Sequence, residues 1–266
     1  MTPLELCCMT VRQATVPEMV AVAADEGFDS LTLTPFMVER SGMEIDALRQ
    51  LCDDAGITIG YIDGLSSPLP GTPDGVTEER SYAMAEGLGA KAVNVVHLGG
   101  HPVPFGEMTD VLGEVAQRAA RRGLGILIEF LPDTGIPDLP GALDLVRAVA
   151  LDNLRVMLDT WHLARTGGGP HQLTGDAPVL IGGLQVSDRR KIQDSQPYVP
   201  MSGRYLPGEG ELPLIDILMP VLAVHPALPV GVEVLNDEMK AMPAAEAASV
   251  AGRELRGVLS QASPHN

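Results

Sequence analysis

Short apolar runs rich in β-branched residues alternate with longer segments of helical periodicity along the whole chain, which is the signature of repeated βα units. The runs are LELCCM (4–9), SLTLT (30–34), ITIGYID (57–63), AVNVVHL (92–98), LGILIEFL (124–131), LRVMLD (154–159), GGLQVSD (182–188) and LPVGVEVL (228–235). Between the first two, TVPEMVAVAADEGF carries a capping box from Thr15 to Glu18 and a first-turn Pro17, and stops near Gly27. Three further helical segments end at Gly56, near Gly89 and at Gly123, each just before the next apolar run. The tail PAAEAASVAGRELRGVLSQ places Ala247, Val250, Ala251, Leu255, Val258 and Leu259 on one stripe, as a final packing helix does. Eight such units with no break in composition predict a single-domain α/β protein over 1–266, a (β/α)8 TIM barrel. A doubly wound open sheet is the alternative, but no G-x-G-x-x-G follows the first run.

Composition adds exclusions. With 45% hydrophobic residues and only 3% aromatics, the core is built from aliphatic side chains, as in a parallel sheet under helices. A formal charge of −17 opposes binding to a phosphate backbone, so nucleic acid is not an expected partner. No run reaches the roughly 20 apolar residues of a membrane span. Three cysteines without paired spacing, Cys7, Cys8 and Cys52, and an N-terminus without a basic or long apolar region read as a reduced, cytoplasmic protein acting on a small molecule. Pattern alone does not set the oligomeric state, and a homodimer stays an open alternative.

The chemistry gathers at strand ends. Glu129 closes the fifth run, Asp159 the sixth, Gln185 lies in the seventh and Glu233 in the eighth. In a barrel these C-terminal ends converge on one rim, where active sites are built. Three carboxylates held close resist ionising together unless a cation neutralises them, and oxygen ligands favour Mg2+ or Mn2+ over Zn2+. Taken singly, Glu129 and Glu233 are equally explained as strand-end acids paired with arginine, Asp159 as a helix N-cap, and Gln185 as a hydrogen-bonding residue. The four together point to a metal.

His162 follows Asp159 by three residues and faces the same way if a helical turn begins there. His97, at the end of the fourth run, is a rim candidate or a satisfied structural histidine; Trp161 is a pocket wall or core filler. The irregular stretch over 189–211 would lie over the rim, and Arg204 within it is the candidate clamp for a substrate oxygen or carboxylate, with a surface ion pair to Glu209 or Glu211 as the alternative. Methionines at 9, 37, 201 and 239 hint at a substrate less polar than a free sugar. TGGGP (166–170) lacks the Lys and Ser/Thr of a P-loop.

IEF on the fifth run, LDTWH on the sixth, LQVSD on the seventh, GRYLPGEGELPL after it and VGVEV on the eighth resemble the xylose isomerase-like TIM barrels of the sugar phosphate isomerase/epimerase superfamily. That group includes ketose 3-epimerases, hydroxypyruvate isomerases, inosose dehydratases and 3-dehydroshikimate dehydratases. The resemblance implies Glu129, Asp159, Gln185 and Glu233 as ligands of Mn2+ or Mg2+, with His97, Trp161, His162 and Arg204 at the substrate. Gln185 stands where most epimerases carry a histidine, a departure that some dehydroshikimate dehydratases share. The nuclease branch is similar in fold but uses histidines that this chain lacks. Glu129, Glu233 and His162 are then the expected catalytic groups. The expected reaction is proton abstraction next to a metal-bound carbonyl through an enediolate, giving an isomerase or epimerase, with a dehydratase and a non-catalytic metal-binding barrel as alternatives.

Overall fold

A computed structural model describes residues 2–72, 75–190 and 203–261. Eight parallel strands close a barrel in sequence order: β1 (Leu4–Leu6), β2 (Ser30–Leu33), β3 (Thr58–Leu65), β4 (Ala92–Val96), β5 (Gly125–Glu129), β6 (Leu154–Asp159), β7 (Ile181–Val186) and β8 (Val230–Val232), with β8 pairing back onto β1. The helices are α1 (Val16–Asp25), α2 (Pro35–Ser41), α3 (Ile45–Ala55), α4 (Glu78–Leu88), α5 (Phe105–Ala120), α6 (Leu139–Val149), α7 (Thr160–Arg165), α8 (Ala177–Leu180), α9 (Leu214–Val224), α10 (Asp237–Ala241) and α11 (Ala244–Gln261).

Local chemistry sets these boundaries. The Thr15–Glu18 capping box opens α1, and left-handed Gly56 (φ 71°) ends α3. The first strand is shorter than the apolar run suggests, because Cys8–Val11 winds into a 3-10 turn once the chain clears the rim. Helices α6 and α9, which the sequence pattern did not single out, complete the βα repeat; α9 carries Pro220 in its interior. Much of the expected loop over 189–211, including Lys191 and Met201, lies outside the described residues.

The two-residue period of the strands decides what faces the axis. Ile126 and Ile128 on β5, Val156 and Leu158 on β6, Leu184 and Val186 on β7 and Val230 and Val232 on β8 join one large buried cluster between the wall and the helices. Their alternates point inward. Leu127 and Met157 meet Tyr61 at the barrel centre, with Ala92 packed beside them. One step further along the same face come Glu129, Asp159, Gln185 and Glu233, all nearly inaccessible to solvent.

A carboxylate cluster at the barrel rim

The register aligns the polar strand ends. Asp159 lies opposite Gln185, Gln185 opposite Gly231, and the Glu233 N–H donates to Val186 O, so Glu233 stands one step above. Asp159 does two jobs at once. Its Oδ1 accepts the N–H groups of Trp161 (2.7 Å) and His162 (3.2 Å), capping α7, and its Oδ2 accepts Arg204 Nη1 at 2.6 Å. The same Nη1 lies 2.7 Å from Glu233 Oε2. A buried guanidinium therefore bridges two buried carboxylates.

Arg204 reaches this position because its segment is tied to the rim. The Asp188 carboxylate collects the N–H groups of Arg189, Gly208 and Leu212, and Asp188 and Tyr205 exchange backbone hydrogen bonds at 2.9 and 2.8 Å. Asn236, just past β8, donates to Arg204 O at 2.8 Å. The Trp161 ring lies against two guanidinium groups, 5.4 Å from Arg204 and 5.5 Å from Arg165, and meets His162 edge-on.

His162 Nε2 is 3.3 Å from Glu129 Oε1 and 3.5 Å from Asp159 Oδ2. The other oxygen of Glu129 accepts Asn94 Nδ2 at 2.7 Å, and the same amide donates to Asp63 Oδ1 at 2.8 Å. Gln185 Nε2 reaches Tyr61 Oη at 2.9 Å, and the Cys7 thiol donates to Glu233 Oε1 at 3.0 Å. The structure thus brings Glu129, Asp159, His162, Gln185, Glu233, Trp161 and Arg204 together. His97 is not among them: Nε2 bonds Pro70 O and Nδ1 accepts the Gly135 N–H, both at 2.9 Å, so both ring nitrogens are used by backbone.

Asp63, Asn94 and Cys7 belong to the network and were not anticipated. Asp63 closes the apolar run ITIGYID, so the rule that found Glu129 and Asp159 reaches it as well, although β3 itself continues to Leu65; Asn94 lies within β4, and Cys7 directly follows β1.

The charges respond to one another. Burial opposes ionisation of Asp159, but Arg204 and His162 hold its carboxyl below the usual range. Burial pushes Glu233 to about 7, with Arg204 pulling the other way and the neighbouring acids reinforcing the rise. Asp63 is likewise pushed to about 7, by burial and then by Glu129. Burial lifts the Cys7 thiol well above its ordinary value, so it sits beside Glu233 as a proton donor.

Two neighbouring groups carry metal-binding atoms within 4.8 Å of one another: Glu129 with Asp159 and His162, and Glu233 with Cys7 and Asp63. Gln185 Oε1 is buried with no hydrogen-bond partner, an acceptor left open beside these acids. The Arg204 guanidinium already supplies positive charge between Asp159 and Glu233. The donor set of Glu129, Asp159 and His162, two carboxylates and an imidazole, fits a divalent metal.

The sequence model describing xylose isomerase-like TIM barrels matches residues 20–256. The chain belongs to that family. Among curated xylose isomerase-like relatives, the chain is 28% identical over 242 residues to a 3-dehydroshikimate dehydratase of Pseudomonas aeruginosa, covering 86% of this chain and 37% of that protein. It thus spans well under half of the dehydratase. It is 29% identical over 237 residues to a putative hydroxypyruvate isomerase of Streptomyces coelicolor, covering 76% of this chain and 78% of the other. The crystal structure of IOLI protein with a binding zinc atom superposes with a TM-score of 0.87 at 20% identity, over 99% of this chain and 100% of that one. At that identity the likeness speaks for the xylose isomerase-like fold alone.

Proposed function

We propose that the chain is a divalent-metal-dependent isomerase or epimerase that removes a proton beside the carbonyl of a sugar-like or other hydroxy-carbonyl substrate. The observation that carries this reading is the pair of buried carboxylates on one rim, Glu129 on β5 and Glu233 after β8, three strands apart with Arg204 reaching in between. Mn2+ or Mg2+ held by Glu129, Asp159, Gln185 and Glu233 would supply the Lewis acidity that makes such a C–H removable. Glu233, buried on its side of the rim, would take and return the proton. Glu129 works from the other side, oriented by Asn94. His162 and Arg204 hold substrate oxygens, and Trp161 walls the site against water.

A second reading, dehydratase, is favoured by His162. Its Nε2 lies 3.3 Å from Glu129 Oε1, which sets a group able to protonate a leaving hydroxyl beside a group able to take the proton. Gln185 in the seventh strand agrees with that reading.

Proton NMR in D2O separates the two, using EDTA-treated protein with and without Mn2+ against ketoses, inososes and 3-dehydroshikimate. Metal-dependent deuterium entry beside the carbonyl with isomer formation supports the first reading, and metal-dependent loss of water supports the second. A protein that binds no Mn2+ and exchanges no deuterium refutes both.

A further inference from the structure

The rim opens on the side of β1–β3 into a cavity of about 620 Å3, whose walls include Met9, Phe36, Met37, Asp63, Arg12 and Lys240. Asp63 joins this cavity to the carboxylate cluster, because Asn94 hydrogen-bonds Asp63 and Glu129 with one amide nitrogen. A molecule seated in the cavity therefore has one end within reach of the candidate catalytic groups.

Two of the walls are cations in a chain of net charge −17. Neither Arg12 nor Lys240 makes a side-chain hydrogen bond or ion pair among the described residues, whereas Arg118, Arg122 and Arg147 each engage two carboxylates. Gln13 keeps the two cations on adjoining walls: its Nε2 donates to Met242 O at 2.8 Å and Met239 O at 3.4 Å, fastening the segment after the 3-10 turn to α10. Arg40 lines a smaller cavity of about 180 Å3 that shares Arg12, Phe36 and Met37 with the first. The apolar walls include Phe36, which is 64% exposed. Two cations side by side attract an anion, and an arginine matches a carboxylate in two-point geometry.

We propose that this cavity binds the anionic end of the substrate, and that the substrate is a carboxylate-bearing hydroxy-carbonyl compound with an apolar face, clamped by Arg12 and Lys240. A carboxylate fits better than a phosphate. The walls offer two side-chain cations, and the arginine matches a carboxylate in two-point geometry. The inference deepens the proton-abstraction reading and rests on it for the position of the reacting carbonyl; Arg12 and Lys240 bind and take no proton.

Trp161, the single tryptophan, lies against Arg204 in the site and reports binding by its fluorescence. The probes are shikimate, its neutral methyl ester and glucose 6-phosphate, titrated with and without Mn2+. Shikimate is expected to bind about tenfold more tightly than the ester, with the preference fading as salt rises. In the Arg12→Gln, Lys240→Gln double variant the preference disappears. Lys240 is exposed, so the single Lys240→Glu variant tests the same point with little risk to folding, and it weakens shikimate more than the ester. Equal binding of acid and ester by the wild type, an unchanged ratio in the variants, or no binding of shikimate overturns the proposal. Preference for glucose 6-phosphate overturns the carboxylate assignment. Because the readout needs no turnover, selective binding without deuterium exchange supports the clamp and counts against the proton-abstraction reading alone. Exchange on neutral ketoses with no acid preference counts against the clamp alone.

Discussion

Replacing Arg204 with glutamine removes the positive charge that bridges Asp159 Oδ2 at 2.6 Å and Glu233 Oε2 at 2.7 Å. Both carboxylates are buried, and losing one partner of a buried ion pair costs about 3–5 kcal/mol. Arg204 is what pulls Glu233 down toward about 7, so in the variant this carboxyl takes a proton more readily still, which softens the loss, most at lower pH. At roughly 2.1 cal/mol/K per residue, a chain of 266 residues has an unfolding entropy of about 0.56 kcal/mol/K, so the melting temperature should fall by about 5–9 °C. The measurement is differential scanning calorimetry of EDTA-treated wild type and Arg204→Gln at pH 8, repeated with saturating Mn2+. If a metal neutralises these acids, its binding to the variant restores part of the loss. Equal losses with and without Mn2+ would show that Arg204 and the metal do not serve the same carboxylates, and a change below about 2 °C would refute the bridging argument.

Glu5, inside the barrel on β1, is pushed by burial from its ordinary 4.5 to about 7, against a lowering hydrogen bond from Ser30. Because the native state holds this proton more tightly than the unfolded chain does, stability falls as pH rises from 4.5 to 7 and is level above; at 1.36 kcal/mol per pH unit the loss is about 3 kcal/mol. Glu5→Gln should therefore gain up to about 3 kcal/mol at pH 8 and nothing at pH 4.5 by urea denaturation, and a pH-independent difference would contradict this. Asn94→Ala removes the one amide shared by Asp63 and Glu129 and should cost about 2–4 kcal/mol while slowing deuterium exchange. A variant with wild-type stability and exchange would remove Asn94 from the positioning network.

Much of the architecture was legible because each strand of a parallel barrel is buried on both faces and so reads as an apolar run. β6 matches its run from Leu154 to Asp159, while β1 stops short because Cys8 leaves the ladder. The strand-end acids were legible for the same reason, since a polar group on such a run has nowhere to point except the rim. Arg204 was harder to place. Its segment has no periodicity, and its depth follows from distant partners that only the folded chain brings together: Leu235 and Asn236 on Arg204 itself and Asp188 on the adjoining Tyr205. The environment of His97 was equally hidden, because its partners are the backbone of Pro70 and Gly135.

The apolar filling of the barrel axis is small: Tyr61, Leu127 and Met157 form it, beside Ala92. Most of the buried aliphatic mass lies on the other side of the wall, between strands and helices. A change at a rim position therefore disturbs a thin, polar compartment and leaves the cohesive one untouched. Natural variation can then try new side chains at positions such as Gln185 while the walls stay standing, and a lineage with this division of labour can move between reactions without first rebuilding its scaffold.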